Sequence, residues 1–196
     1  MSIKNSKYAY GTIAKSFHWT IAMLFLCSYI TVKYRHWFTV EDTHANWTAL
    51  QLHLSVGITI AGLVVLRIIW RLMNTVPEDE PGSKSARIAA KYGHYGLYGM
   101  MVIMPLTGYI GTGVNTEYFF LFDIPKFETT PLFTSLVTGG LHITFKQFEK
   151  PIDYIHKDLG GELVILILIG GHVLAALYHH FIKKDRTIRK MTVDKA

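Results

Sequence analysis

Apolar residues gather in this chain into four long blocks, not into amphipathic stripes. The blocks are Phe17–Val32, Leu50–Leu72, a third from about Ala89 to Gly113, and Leu163–Ile182. About twenty apolar residues suffice to cross a hydrocarbon core. The pattern therefore predicts four membrane spans, at about 13–33, 50–72, 89–113 and 161–183. Lys33–Asn46 reads as a polar loop, and Asn74–Ser85 has the Pro, Gly, Ser and acidic composition of another. Pro105 and Gly108 predict a kink of the kind membrane helices tolerate. Val114–Gly160 is too polar to span and too apolar for a free linker. It reads as a capping segment with short helices, lying on the membrane surface. The last span is taken to begin outside the membrane, around Pro151. The expected fold is an all-α, four-helix membrane bundle, one domain over 1–196, with the cap between spans 3 and 4.

Charge sets the orientation. Only 17% of the residues are charged, against roughly 25% in soluble proteins. The net charge of +6 does not indicate nucleic acid, because the bases adjoin the apolar blocks. Of 20 Lys and Arg, 3 lie at the N-terminus, 5 in 67–91 and 6 in the C-terminal tail; the other two loops share 6. The positive-inside rule then places both termini in the cytoplasm. No small-residue cleavage site follows the first block, so it is read as retained. The single cysteine, Cys27, forms no internal disulfide and no CxxCH site, so any haem would be held without thioether links.

Histidines carry the chemistry. His172 interrupts the last apolar block near its middle, where an imidazole is costly unless it holds something or lines a cavity. His18 lies near the inner end of span 1, His53 near the outer end of span 2 and His94 near the inner end of span 3. His172 falls in the inner half of span 4 and His156 at its outer end. Histidines on different helices at two depths are what two stacked bis-histidine haems need. His94 has the alternative of a helix–helix hydrogen bond. Arg67 follows His53 by 14 residues, on the same face and about 21 Å further in. There it could bind a haem propionate bidentately, as could Arg71 one turn on, or both could snorkel to the headgroups. His179 lies two turns beyond His172, nearer the inner surface. His36, His44 and His142 read as loop histidines. Met100, Met101 and Met104 read as packing, and Trp19, Trp70, Tyr95 and Tyr98 as an interfacial belt.

The stretches FHW (17–19), LHLSVGI (52–58), LRIIWRL (66–72), GHYGLY (93–98), FDIP (122–125) and GHVLAALYHHFIKKDRTIRKM (171–191) resemble the bacterial cytochrome b561 family. That family is related to the cytochrome b subunits of nickel–iron hydrogenases. The resemblance covers nearly the whole chain in order. It implies four core helices in the bacterial inner membrane, a periplasmic cap, two b haems, and electron exchange with ubiquinone or menaquinone. Some members look like superoxide oxidases, passing electrons from periplasmic superoxide to ubiquinone. His18 and His172 match the inner haem pair and His53 an outer ligand. His179 matches a histidine near the quinone or substrate site, which makes it the candidate catalytic residue. His94 matches a family histidine of less certain role.

One departure stands out. In the family the outer span-4 ligand lies 14 residues before the inner one; here that position is Asp158. His156 is the nearest histidine, 16 residues before His172 and about 160° off its face on an ideal helix. If His156 is the ligand, the helix between them must be irregular by about two residues. His142 is the substitute, and an altered or missing outer haem the third option. The expected function is transmembrane electron transfer through two haems b, held by His18, His53, His156 and His172. Electrons pass between quinone and a periplasmic redox partner or superoxide, which would make the chain an oxidoreductase. The alternatives are a haem-bearing anchor subunit of a dehydrogenase or hydrogenase, and a metal-ion transporter.

Overall fold

The computed structural model describes residues 2–193; Met1 and residues 194–196, the ends of the expected domain, lie outside the described residues. Three long helices come first: α1 (Thr12–Phe38), α2 (His44–Met73) and α3 (Lys84–Gly111). A fourth helical run covers Phe145–Lys183, 39 residues. Among the described residues, three helices are long and apolar enough to cross a membrane: α1, α2 and Phe145–Lys183. The third predicted block is helical through 28 residues with Pro105 inside it. Its glycines and tyrosines leave it less apolar than the others.

Helix starts follow local chemistry. Thr43 and Ser83 cap α2 and α3 by accepting from the backbone N–H groups of Asn46 and Ala86. Thr144 and Gln147 form a reciprocal capping box at the start of the fourth run. The loop expected over Lys33–Asn46 shrinks to residues 39–43, because α1 continues to Phe38 and α2 begins at His44. His36 and His44 are therefore helical, not loop, residues. Arg35 Nε donates to Asn46 Oδ1 at 3.0 Å, and Asn46 Nδ2 donates to Thr39 Oγ1 at 2.9 Å, which fixes the corner.

The segment read as a cap divides in two. Its second part, from Phe145, is the start of the fourth helical run. Its first part contains an antiparallel hairpin, β1 (Thr116–Tyr118) and β2 (Phe122–Ile124), with Thr116 opposite Ile124 and Tyr118 opposite Phe122. Short helices were expected there; these strands were not. Phe127, Phe133 and Val137 then bury themselves against Tyr109, Ile110 and Phe148. His142 does lie in a turn, at φ 55°.

The helices pack through a narrow core, Ile21 of α1 with Val56, Ile60 and Val64 of α2. Large apolar side chains stay on the outside: Leu72 is 82% exposed, Leu174 68% and Ile167 64%. Such a surface suits acyl chains, not water. At the opposite end from the hairpin, three polar segments lock together. The Lys190 Nζ is paired with Glu80 Oε1 at 2.5 Å and donates to the Glu78 carbonyl at 2.6 Å. Tyr10 N–H donates to the Lys190 carbonyl at 3.3 Å, and Glu78 N–H to that of Lys7 at 2.9 Å. The basic tail and the polar start thus close this end as one layer.

Candidate functional site

Between the helices runs a cavity of about 1690 Å³, lined among others by His18, His53, His94, His156, His172 and His179. Pockets for a single small molecule measure roughly 300–1,000 Å³. Gly57, one turn after His53, faces it with open space where a Cβ would stand.

The histidines meet in two groups. The His53 and His156 ring centroids lie 6.1 Å apart, with planes at 73°. Those of His18 and His172 also lie 6.1 Å apart, at 64°. His94 adds a third ring to the second group, 5.7 Å from His172. A metal–imidazole bond is about 2 Å, and the ring centre lies about 1 Å beyond the nitrogen. Two imidazoles on opposite sides of one metal thus have centroids about 6 Å apart, the spacing both pairs show.

Hydrogen bonds settle which ring nitrogen is available in the first group. His53 Nδ1 lies 3.0 Å from Ser28 Oγ and 3.1 Å from the Ser28 carbonyl. The carbonyl can only accept and the hydroxyl can also accept, so both contacts are satisfied with the proton on Nδ1. Thr107 Oγ1 lies 2.7 Å from the Ile103 carbonyl and 3.1 Å from His156 Nδ1. The hydroxyl gives its one proton to the carbonyl, so it accepts from His156 Nδ1–H. In both rings Nε2 keeps its lone pair for a metal. Such outer partners orient metal-binding histidines generally.

His156 reaches this position through an irregular helix. Tyr154–Val164 is π-helical, between α-helical Phe145–Asp153 and Ile165–Tyr178. A π-helix closes i→i+5 bonds and turns roughly 80° per residue, so the run from His156 to Val164 lags an α-helix by about 150°. That lag nearly cancels the 160° offset expected for a straight helix, and both rings face the cavity. Gly108 of α3 makes room, since a Cβ there would lie 2.9 Å from His156 Cε1. Asp158 also lines the cavity; His142 is not among its lining residues.

Arg67 stands at the second group. Its Nη atoms lie 3.4 and 3.5 Å from His18 Nδ1, and its Nε donates to Tyr98 Oη at 3.3 Å. Arg71 lies over the Tyr98 ring at 5.3 Å. Both line the cavity. Tyr98, expected only in an interfacial belt, is the residue that holds both guanidinium groups.

The sequence matches known proteins. The profile of prokaryotic cytochrome b561 covers residues 9–193. The chain belongs to this family. It is 29% identical to cytochrome b561 homolog 2 of Escherichia coli K12, over 97% of this chain and 95% of that one. It is 25% identical to cytochrome b561 homolog 1 of the same organism, over 89% and 91%. The probable superoxide oxidase CybB of Yersinia pestis is 22% identical, over 93% and 94%. As a cytochrome b561, the chain is a bacterial membrane protein that transfers electrons by b-type haem. The donor set fits the group: paired imidazoles at iron-spanning distance, two arginines and a large apolar cavity.

His179 lies at the far end of the cavity. It begins a second π-helical stretch, His179–Lys183, closed by Lys184 at φ 55°. That left-handed residue folds the chain back, so Asp185 N–H donates to the His179 carbonyl at 3.2 Å and the Asp185 carboxylate pairs with His179 Nδ1. A carboxylate accepts only, so His179 Nδ1 carries the proton and Nε2 is left for a ligand. Burial pushes the Asp185 carboxyl up, but hydrogen bonds from His179 and Thr187 prevail and hold it below the usual carboxylate range. Asp185 was absent from the sequence-based candidates; its place five residues after a helix-terminal histidine pair was the available signal. His180 is exposed and lies off the cavity.

Proposed function

We propose that the chain is a four-span, di-haem cytochrome b that carries electrons between a quinone and an acceptor or donor on the opposite, periplasmic side. The supporting observation is the repetition of one geometry, two facing imidazole pairs at 6.1 Å, in a single cavity. His53 and His156 would hold the outer haem, His18 and His172 the inner one. Haem supplies one-electron redox chemistry when bound. The chain supplies orientation, through Ser28 and Thr107, and an apolar surround. Both termini are assigned to the cytoplasm and the membrane to the bacterial inner membrane. The likeness to a probable superoxide oxidase makes superoxide a fitting periplasmic donor, with ubiquinone or menaquinone as acceptor. A reduced-minus-oxidised spectrum with haem per polypeptide tests the reading: two low-spin b haems are expected, and one would remove the outer site.

Arg67 is proposed to neutralise a haem propionate. An imidazole bound to iron through Nε2 carries its proton on Nδ1, and then offers Arg67 no acceptor. The guanidinium needs another, and a carboxylate at this level serves. A fixed positive charge favours the reduced iron. Arg67→Gln is therefore expected to lower the inner haem potential, on the order of tens of millivolts. An unchanged redox titration would indicate that Arg67 only reaches for headgroups.

His179 is proposed to relay a proton to quinone. Nε2, protonated from water on the cytoplasmic side, would donate to the quinone oxygen and return to its lone-pair form, while Asp185 holds Nδ1–H. Quinone reduction consumes two protons, and histidine exchanges protons near neutral pH. His179→Ala is expected to keep both haems and slow quinone reduction roughly 10²-fold. Loss of a haem in that variant would make His179 a ligand and overturn the pairing.

A further inference from the structure

We infer that the hairpin β1–β2 is not a surface cap but a wedge seated in the outer-side hydrocarbon, its tip contacting lipid acyl chains. The inference rests on α2 crossing the bilayer, not on the haem assignment. Its first support is depth. The hairpin runs down α2 from Trp47, which donates to Glu117 Oε1 at 3.1 Å, to Thr59, whose Oγ1 lies 3.0 Å from Tyr118 Oη. Phe119 N–H donates to Ser55 Oγ at 2.9 Å. Ser55 and Thr59 lie five and nine residues beyond Leu50, where the apolar block begins, so roughly 8 and 13 Å deep. One leaflet of hydrocarbon is about 15 Å thick.

The second support is the accounting of polar groups. Backbone within hydrocarbon must be satisfied internally. Gln51 Oε1 accepts from Glu117 N–H at 2.8 Å, and Gln51 Nε2 donates to the Asn115 carbonyl at 3.1 Å. Phe120 and Leu121 N–H groups donate to the Glu117 and Tyr118 carbonyls, each at 3.0 Å. Gln51 and Ser55 are fully buried by this hairpin. Ser55 lies about 200° round the helix from His53, and neither Ser55 nor Thr59 lines the cavity. From Glu117 onward the hairpin therefore covers a face turned away from it, where lipid would otherwise lie; Thr116, at the base, reaches the cavity lining.

The third support is the tip itself. Phe119 and Phe120 adopt φ 46° and 61°, where glycine is the unstrained choice. Keeping phenylalanine there retains large apolar side chains, and Phe120, Leu121 and Phe122 are 51, 78 and 57% exposed. This surface continues the lipid-facing side of α2. The acids sit one rung higher, Glu117 opposite Asp123, with Glu117 drawn toward Trp47. The water boundary thus passes between that rung and the tip.

The test uses the full haem-loaded chain in liposomes, with Cys27→Ser and a nitroxide attached at Leu121→Cys. Collisional accessibility is read against a nitrogen baseline, which removes relaxation caused by iron. Oxygen accessibility high and nickel-chelate accessibility roughly tenfold below that of Asp123→Cys is the expected result. High nickel accessibility at Leu121→Cys would return the hairpin to the aqueous surface. Low accessibility to both, with dipolar broadening between labels, would mean that a second copy covers the tip. Either outcome overturns the inference.

Discussion

His172→Ala is expected to halve the haem content, leaving one low-spin b haem per polypeptide and the outer pair intact. His172 is the common member of the inner group, 6.1 Å from His18 and 5.7 Å from His94. No other imidazole in that group faces both, so its loss would leave the proposed inner pair with one histidine to hold the haem. His18→Ala is expected to do the same, because His18 and His172 repeat the centroid spacing of the outer pair. His94→Ala is the control. His94 meets His172 edge to face just as His18 does, at 5.7 Å; it is taken as packing because the family motif puts the pair at His18 and His172. Its removal should leave two haems, with the inner spectrum shifted by the lost contact. Retention of both haems in His18→Ala together with loss of one in His94→Ala would exchange their roles. Unchanged haem content in both His18→Ala and His172→Ala would refute the inner site.

His18 and His172, which the structure brings together, stood out in sequence because each sits in an apolar block, where a polar side chain is conspicuous whatever the exact helix geometry. The outer partner was harder to read. Whether His156 or Asp158 meets His53 depends on the turn per residue, and sequence periodicity assumes 100° throughout. The π-helical stretch from Tyr154 breaks that assumption, and only backbone hydrogen bonding reveals it. The hairpin was missed for a related reason. Its turn uses Phe119 and Phe120 at positive φ, where Asn and Gly would have given the usual signal. Gln51 and Ser55 are polar residues inside an apolar block, and nothing in their local sequence points to the strand they serve. Lys190 is basic tail in sequence, yet it is 9% exposed and ties three segments together. Such long-range ion pairs leave no local pattern.

His156→Ala is expected to remove the outer haem or convert it to a high-spin form, while the inner haem persists. His53 would then have no opposite nitrogen, and Asp158, though it lines the cavity, supplies only a carboxylate oxygen. His142→Ala should change nothing, since His142 lies in a turn away from the cavity lining. Two variants that keep His156 probe the same assignment from the side. Thr107→Val removes the acceptor that holds Nδ1–H at 3.1 Å, and losing such an outer partner typically costs roughly 10–100-fold in metal affinity. Gly108→Val places carbon where the ring now stands, since even a Cβ would lie 2.9 Å from Cε1. It should therefore displace the imidazole and reproduce the His156→Ala spectrum. The readout is electron paramagnetic resonance of the oxidised protein, with haem per polypeptide measured on the same sample. Two low-spin signals in His156→Ala would exclude His156 as a ligand. An intact outer signal in Gly108→Val, with the inner one also unchanged, would place the ring elsewhere in the membrane.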